Sequence, residues 1–256
     1  MLRFVIFLSL FVLAGLSHAE EKLRAALSIE DLLIEPKQWT LSPAFSFSTD
    51  HSNEAGSVSR SYSNSLTLNY GLNRDISLSW QYSSQQSVHK DTRFDASAQT
   101  VGLRWRIPTR GLWQWNVSAL REIQASHTAA ELRWARPAYR VSIQTYRFVD
   151  PLVLSSSFSY YKASRWRVGD DLSPESQRLY WRVAMDFAVN RVVGLYSAYQ
   201  VSREALSQSS TVFARQRLSL GGSYRINEDT SLVLTLGFGL ADESPATLSV
   251  QGRYRF

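Results

Sequence analysis

A period of two runs through most of this chain, and it is clearest in the last eleven residues, Ala246-Thr-Leu-Ser-Val-Gln-Gly-Arg-Tyr-Arg-Phe256. Successive side chains of an extended strand point to opposite sides. Leu248, Val250, Gly252, Tyr254 and Phe256 therefore share one face, and Ser249, Gln251, Arg253 and Arg255 the other. One face suits hydrocarbon and the other suits water. The same pattern starts at Trp39. Ile76, Leu78, Trp80 and Tyr82 oppose Ser77, Ser79, Gln81 and Ser83; Val101, Leu103, Trp105 and Ile107 oppose Gly102, Arg104 and Arg106. Leu179, Trp181, Val183, Met185 and Phe187 oppose Arg178, Tyr180, Arg182 and Asp186. Tyr139, Val141 and Ile143 oppose Arg140, Ser142 and Gln144; Leu218, Leu220 and Tyr224 oppose Arg217, Ser219 and Arg225. About twelve such segments can be drawn, each long enough for a membrane-crossing strand.

The connections decide the topology. Short turns fall at Leu72-Asn-Arg-Asp75, Pro108-Thr-Arg-Gly111, Val149-Asp-Pro151, Asn190-Arg191 and Asn227-Glu-Asp229. Longer polar stretches fall between them, at 50–61, 84–93, 123–136, 163–177, 203–212 and 242–245. Strict alternation of short and long connections, with an even strand count, is the layout of a transmembrane antiparallel β-barrel: tight turns at one rim, loops at the other, both ends of the barrel at the turn side. A soluble sandwich gives no reason for it. Residues 129–137 are the ambiguous place, either another strand segment or the extension of one beyond the membrane.

Composition agrees with that class. Hydrophobic residues make up 44% of 256, and no apolar run reaches the roughly 18 residues that a membrane helix needs. There are 8 Trp, 12 Tyr and 12 Phe, enough for aromatic girdles at two interfaces. Cysteine is absent, which removes disulfides, thiolate metal sites, a cysteine nucleophile and a lipoprotein anchor. The net charge is +6, but the arginines are interleaved singly through the strands rather than clustered, so nucleic acid is not an expected partner.

The amino-terminal part is different. Residues 1–19 read as a signal peptide, with Arg3, an apolar core from Phe4 to Leu16 and a small-x-small site at Ser17-His18-Ala19. Residues 20–37 read as a short acidic helical leader: Ser28-Ile-Glu-Asp31 has the form of a capping box and Pro36 ends the run. The barrel is expected over 38–256.

A lipid-facing Arg near the midplane costs roughly 2–4 kcal/mol, so the arginines fix the phase of the strands. They send Arg104, Arg106, Arg140, Arg178, Arg182, Arg217, Arg225, Arg253 and Arg255 to the lumen, with Asp186 as the acid among them. A lumen so basic needs counter-charge. The leader is the nearest source, and Glu30, Asp31 and Glu35 are expected to hold it inside the barrel as a plug through arginine–carboxylate hydrogen bonds. The alternative is an internally paired, solvated lining.

Catalytic signals are weak. His51-Ser-Asn53, with Ser59 to Asn64, faintly resembles the outer-membrane phospholipase, but adjacent His51 and Ser52 point oppositely on a strand. His89, His127, Glu54, Asp91 and Asp95 fall in expected outer loops. No phosphate loop, metal-ligand spacing or nucleophile motif appears. The chain is therefore expected to be no enzyme and to need no cofactor.

Two stretches resemble a known group. Phe148-Val-Asp-Pro-Leu-Val-Leu-Ser-Ser-Ser-Phe-Ser-Tyr160 and Leu32-Leu-Ile-Glu-Pro-Lys-Gln-Trp-Thr-Leu-Ser-Pro-Ala-Phe-Ser-Phe47 are similar to segments of the outer-membrane transporters grouped with the phenol meta-pathway proteins, which include the exporter of functional amyloid subunits. The carboxy-terminal Tyr254 and Phe256 resemble the signal by which outer-membrane barrels are recognised for insertion. The resemblance implies a twelve-stranded conduit in the cell outer membrane, with an amino-terminal gate and a small solute or secreted polypeptide as cargo. Its partners would be outer-membrane lipid and the barrel-assembly machinery, with homo-oligomers left open. A closed structural or adhesive barrel, or a lipid-acting barrel enzyme using His51, are the alternative expectations.

Overall fold

The computed structural model describes residues 36–51, 58–89, 92–109, 112–127, 133–134, 138–149, 151–164, 166–168, 171–173, 176–206, 212–240 and 246–256. The signal peptide expected at 1–19 lies outside these residues, and so does the leader with Glu30, Asp31 and Glu35. Twelve long strands make up most of the described chain: β1 (Trp39–His51), β2 (Val58–Gly71), β3 (Ile76–His89), β4 (Thr92–Ile107), β5 (Trp113–His127), β6 (Ala138–Val149), β7 (Leu152–Ala163), β8 (Ser176–Ala188), β9 (Val193–Leu206), β10 (Val212–Arg225), β11 (Thr230–Gly239) and β12 (Ala246–Arg255).

Every strand pairs antiparallel with its neighbours in sequence, and β12 returns to pair with β1. The ring is closed. At the seam Trp39 and Phe256 exchange two backbone hydrogen bonds, at 2.9 and 3.0 Å. Following partners around the ring brings the register back displaced by about 14 residues. With a rise of about 3.3 Å per residue and strands about 4.8 Å apart, that stagger tilts the strands by about 39° and sets a backbone radius of about 12 Å.

The alternation maps onto the two faces. Leu78, Val101, Leu103, Trp105, Ile143, Leu154, Phe158, Trp181, Met185, Leu220, Leu234 and Leu248 are all exposed large apolar side chains. The fully buried apolar set is small by contrast, mostly alanines such as Ala138, Ala163, Ala184, Ala188 and Ala198. A soluble protein hides its leucines and rarely leaves a continuous apolar patch beyond a few hundred Å². Here the apolar surface is a band around the outside, the surface a bilayer covers. Aromatic pairs border it at both rims: Trp39 with Tyr70 (4.5 Å between centroids) and Tyr254 with Phe256 (5.7 Å) at the turn end, Phe47 with Tyr62 (5.1 Å) and Tyr139 with Tyr160 (6.2 Å) at the other.

Three of the five tight turns share one chemistry. Asn73, Asn190 and Asn227 each turn the side-chain carbonyl back onto the chain. Asn73 Oδ1 accepts from the N–H groups of Asp75 and Ile76, both at 2.8 Å; Asn190 Oδ1 accepts from Val192 (2.8 Å) and Val193 (2.7 Å). Asn227 Oδ1 accepts from Asp229 at 2.9 Å. A short amide that mimics a backbone turn is what favours asparagine here.

The strands run further than the alternation suggested. Residues 84–89 belong to β3 and 92–93 to β4, where a loop over 84–93 was expected, and β1, β2, β5 and β9 each extend into their expected loops. His51, His89 and His127 are thus the last residues of β1, β3 and β5, and Asp95 lies within β4, bonded to Gln86 Nε2 at 3.0 Å. Of the ambiguous stretch only Arg133 and Trp134 are among the described residues, and they pair with Ser126 and Ala125 of β5. A small hairpin, Trp166–Val168 with Asp171–Ser173, lies between β7 and β8. The reason for the longer strands is that ladder hydrogen bonds continue above the membrane, where neither face needs to be apolar.

Replacing Asn190 by Ala removes two turn hydrogen bonds and is expected to lower unfolding stability in detergent by about 1 kcal/mol. Asn190→Asp, which keeps the acceptor oxygen, is expected to lose less. Urea titration read by the gel mobility of folded and unfolded chain measures both.

Candidate functional site

The inner face of the ring is built from small and polar side chains. Ser46 and Ser63 meet across β1 and β2 at 2.6 Å, and Ser48 and Ser61 at 2.7 Å. Thr40, Ser42, Asn69, Asn116, Ser176, Asp186 and Arg253 are buried polar residues on this face. Glycines let longer side chains lie flat against the wall. A methyl group at Gly221 would overlap the Tyr196 ring, which crosses β10 so that its hydroxyl donates to Thr235 Oγ1 on β11 at 2.6 Å. Arg217 likewise lies over Gly237, its Cδ and Nε 3.5 Å from where a Cβ would stand, and donates to Thr247 Oγ1 at 2.7 Å. Two strands are spanned in each case, which braces the ring from within.

The nine arginines and Asp186 all occupy inward positions of their strands, opposite small or polar partners. Arg104 faces Ser77 and Ser118, Arg182 faces Ser157 and Gln200, Arg225 and Arg253 face Ser231, and Arg255 faces Thr40. Asp186 lies between Val153 and Tyr196. Arg106 reaches the turn between β2 and β3 and pairs with Asp75, its Nε and Nη2 at 3.0 and 2.9 Å from Oδ1. Arg178 pairs with Glu204 at 2.6 Å. Arg215, not among the nine, also takes an inward position, opposite Ser202. Arg147 is on the outer face at the turn rim, its guanidinium 5.9 Å from the centre of the Trp113 ring, and Arg121 is exposed beside Tyr139 near the opposite rim.

Sequence reasoning missed two lumen carboxylates, Glu204 and Glu122. Glu204 fell in the stretch read as the loop 203–212, and its inward phase on β9 appears only once that strand is known to continue to Leu206. Glu122 keeps the inward phase of Asn116 and Ser118 on β5 and faces Thr100, just before the strand bulges at Ile123. It was missed because it stands at the edge of the stretch 123–136 read as a loop. The wall therefore supplies part of its own counter-charge.

A cavity of about 380 Å³ lies in the loop-side half of the lumen, with Gln81, Thr100, Glu122, Arg140, Arg178 and Tyr180 on its wall. Arg140, Tyr161, Arg178 and Glu204 form one row across β6, β7, β8 and β9. The Arg140 guanidinium lies 5.9 Å from the Tyr161 ring centre and 6.0 Å from that of Tyr180, and Arg178 lies 5.9 Å from Tyr161. Among the described residues no cluster of His, Asp and Glu is placed to hold a metal ion.

The fold superposes on a COG4313 outer membrane channel from Pseudomonas putida F1 with a TM-score of 0.68, at 11% identity over 93% of this chain and 100% of that one. The likeness is one of fold. The KdgM porin gives 0.52 at 10% identity over 84% of this chain and 99% of its own. The β domain of the Bordetella autotransporter BrkA gives 0.58 at 11% identity, covering 85% and 99%. No family model matches the sequence, and no curated protein does. The architecture is that of outer-membrane β-barrels, with one chain closing one twelve-stranded ring.

Gly221→Ala is expected to push Tyr196 off Thr235 and to cost about 1–3 kcal/mol of unfolding stability. Gly222→Ala, one residue on and facing outward with its nearest neighbours 3.6 Å and more away, is expected to change stability little. Parallel urea titrations of the two variants compare them.

Proposed function

We propose that the chain is an outer-membrane channel that passes small solutes through a basic lumen, gated by its amino-terminal leader, and that it is a relative of the phenol meta-pathway type of transporter. The observation that carries the channel reading is the inner face itself. Small closed barrels have their interior filled by side chains; this ring, at a backbone radius of about 12 Å, lines its wall with serine, threonine, asparagine and arginine, and a cavity of about 380 Å³ opens in its loop-side half. A wall of that kind favours water and ions inside. The fold shared with the COG4313 channel and the KdgM porin supports the same reading.

Arginine supplies the selectivity. The described inner wall carries more guanidinium groups than carboxylates, and charge of one sign on low-dielectric walls concentrates ions of the other. Anions are the favoured permeants. A solute rather than a polypeptide is favoured because the Arg140–Tyr161–Arg178 row offers directional groups of molecular size.

A patch of the inner wall supports the gate. Tyr146, Val153 and Ala188 are at most 2% exposed and Asn116 only 3%. Both amide atoms of Asn116 and the Tyr146 hydroxyl have no hydrogen-bond partner among the described residues. Buried polar atoms without partners are costly, and a wall about 12 Å from the barrel axis does not cover itself. The proposed occupant is the acidic leader, with Glu30, Asp31 and Glu35 near the guanidinium groups of the turn-side half. Pro151, part of the stretch that resembles the phenol meta-pathway transporters, lies in the turn before β7.

In planar bilayers the mature chain is expected to give discrete conductance steps with a reversal potential on the anion side in a salt gradient. Deleting residues 20–36 is expected to raise open probability at least several-fold. Silent bilayers with correctly folded protein contradict the channel; unchanged open probability in the deletion contradicts the gate.

A further inference from the structure

We propose that the loop-side half of the lumen holds a binding site for small organic carboxylates, with Arg140 as the anion-binding group and the rings of Tyr161 and Tyr180 as its walls. The inference deepens the channel reading by naming the class of solute. It requires only that the ligand reach the lumen.

The site is assembled by strand register. Leu120, Arg140, Tyr161, Arg178 and Glu204 are successive cross-strand partners from β5 to β9, so their side chains line up across the wall. Glu204 holds Arg178 at 2.6 Å, and Arg178 in turn stands over Tyr161. One guanidinium of the row is thereby neutralised and serves to fix the ring. Arg140 is different. It is exposed on the wall of the cavity, it stands over two tyrosine rings at 5.9 and 6.0 Å, and no carboxylate among the described residues forms an ion pair with it. Aromatic contacts of this kind hold the guanidinium plane while leaving its edge free to donate. A carboxylate matches that edge with two parallel N–H···O bonds.

The rest of the cavity narrows the class. Gln81 and Ser83 add amide and hydroxyl groups to its wall. These suit a ligand with a polar edge as well as a charge. Glu122 lies on the same wall and disfavours a multiply charged anion such as phosphate, while one unpaired guanidinium suits one carboxylate. About 380 Å³ accommodates a single-ring acid lying against a tyrosine face. Both an aromatic acid and a sugar acid present that chemistry.

The test is isothermal titration calorimetry on the purified full chain, folded in detergent, with benzoate and with galacturonate. Benzyl alcohol, galactose and inorganic phosphate are the comparison probes. At least one acid is expected to bind, with its neutral analogue and phosphate at least tenfold weaker. Benzoate alone binding assigns aromatic acids, and galacturonate alone assigns sugar acids. Arg140→Gln is expected to weaken acid binding at least tenfold, and Arg140→Lys, which keeps the charge but loses the fork, to weaken it less; gel mobility before and after boiling verifies that each variant is folded. Absence of binding by both acids overturns the site, and so does equal binding by neutral analogues, tighter binding of phosphate, or wild-type affinity in Arg140→Gln. Should Arg140→Gln not fold, Tyr161→Leu is read in its place, and unchanged affinity there overturns the site equally. Bilayer conductance on the same preparation separates the two ideas: conductance without binding sinks only the carboxylate site, and binding without conductance sinks only the channel.

Discussion

Hydrocarbon offers no hydrogen bonds to a peptide group, and everything else in this molecule follows from that. Each N–H and C=O left unpaired in a bilayer costs several kcal/mol, so strands cross only as a ring without edges. Here the ring closes where the two ends of the barrel meet, through the paired backbone bonds of Trp39 and Phe256 and the β1–β12 ladder above them. Pro43 lies in that seam and donates no hydrogen bond, and the partner positions around Gly252 keep the register on either side of it. A ring closed with a stagger of about 14 residues has a fixed tilt and radius. Radius then dictates that the interior is a wall and not a core.

From this come the two faces. Outward side chains need only be apolar, and they carry the leucines, valines and tryptophans that a soluble protein would bury. Inward side chains must satisfy one another or water, and the wall does so by lending groups across strands: Tyr196 to Thr235, Arg217 to Thr247, Arg178 to Glu204. Glycine at 221 and 237 is what lets these long side chains lie along the wall rather than project into the lumen. The same small residues that brace the barrel keep these side chains out of its lumen.

Much of this was legible in the sequence because the bilayer imposes period two with little tolerance. β11 alternates leucine with serine, threonine and glycine, and both its place and its phase could be read directly. Strand ends were less legible. Ser84 to His89 is polar on both faces, since above the membrane neither side meets lipid, and it therefore resembled a loop. Glu204 was hidden by the same effect, and Glu122 by its place at the edge of the stretch read as a loop. The Arg140–Tyr161–Arg178 row was not legible at all, although Arg140 and Arg178 were each identified as inward. Which inward residue of one strand meets which of the next depends on turn lengths and register, quantities that no single segment encodes.

The central claim, that alternate residues meet lipid and water, is open to direct measurement because the chain contains no cysteine. Single cysteines placed from Ser231 to Phe238 along β11 can be labelled with an environment-sensitive fluorophore in reconstituted vesicles. Brominated lipid is expected to quench labels at 232, 234, 236 and 238, and aqueous iodide those at 231, 233, 235 and 237. Quenching without a period of two, or iodide access at every position, would contradict the account.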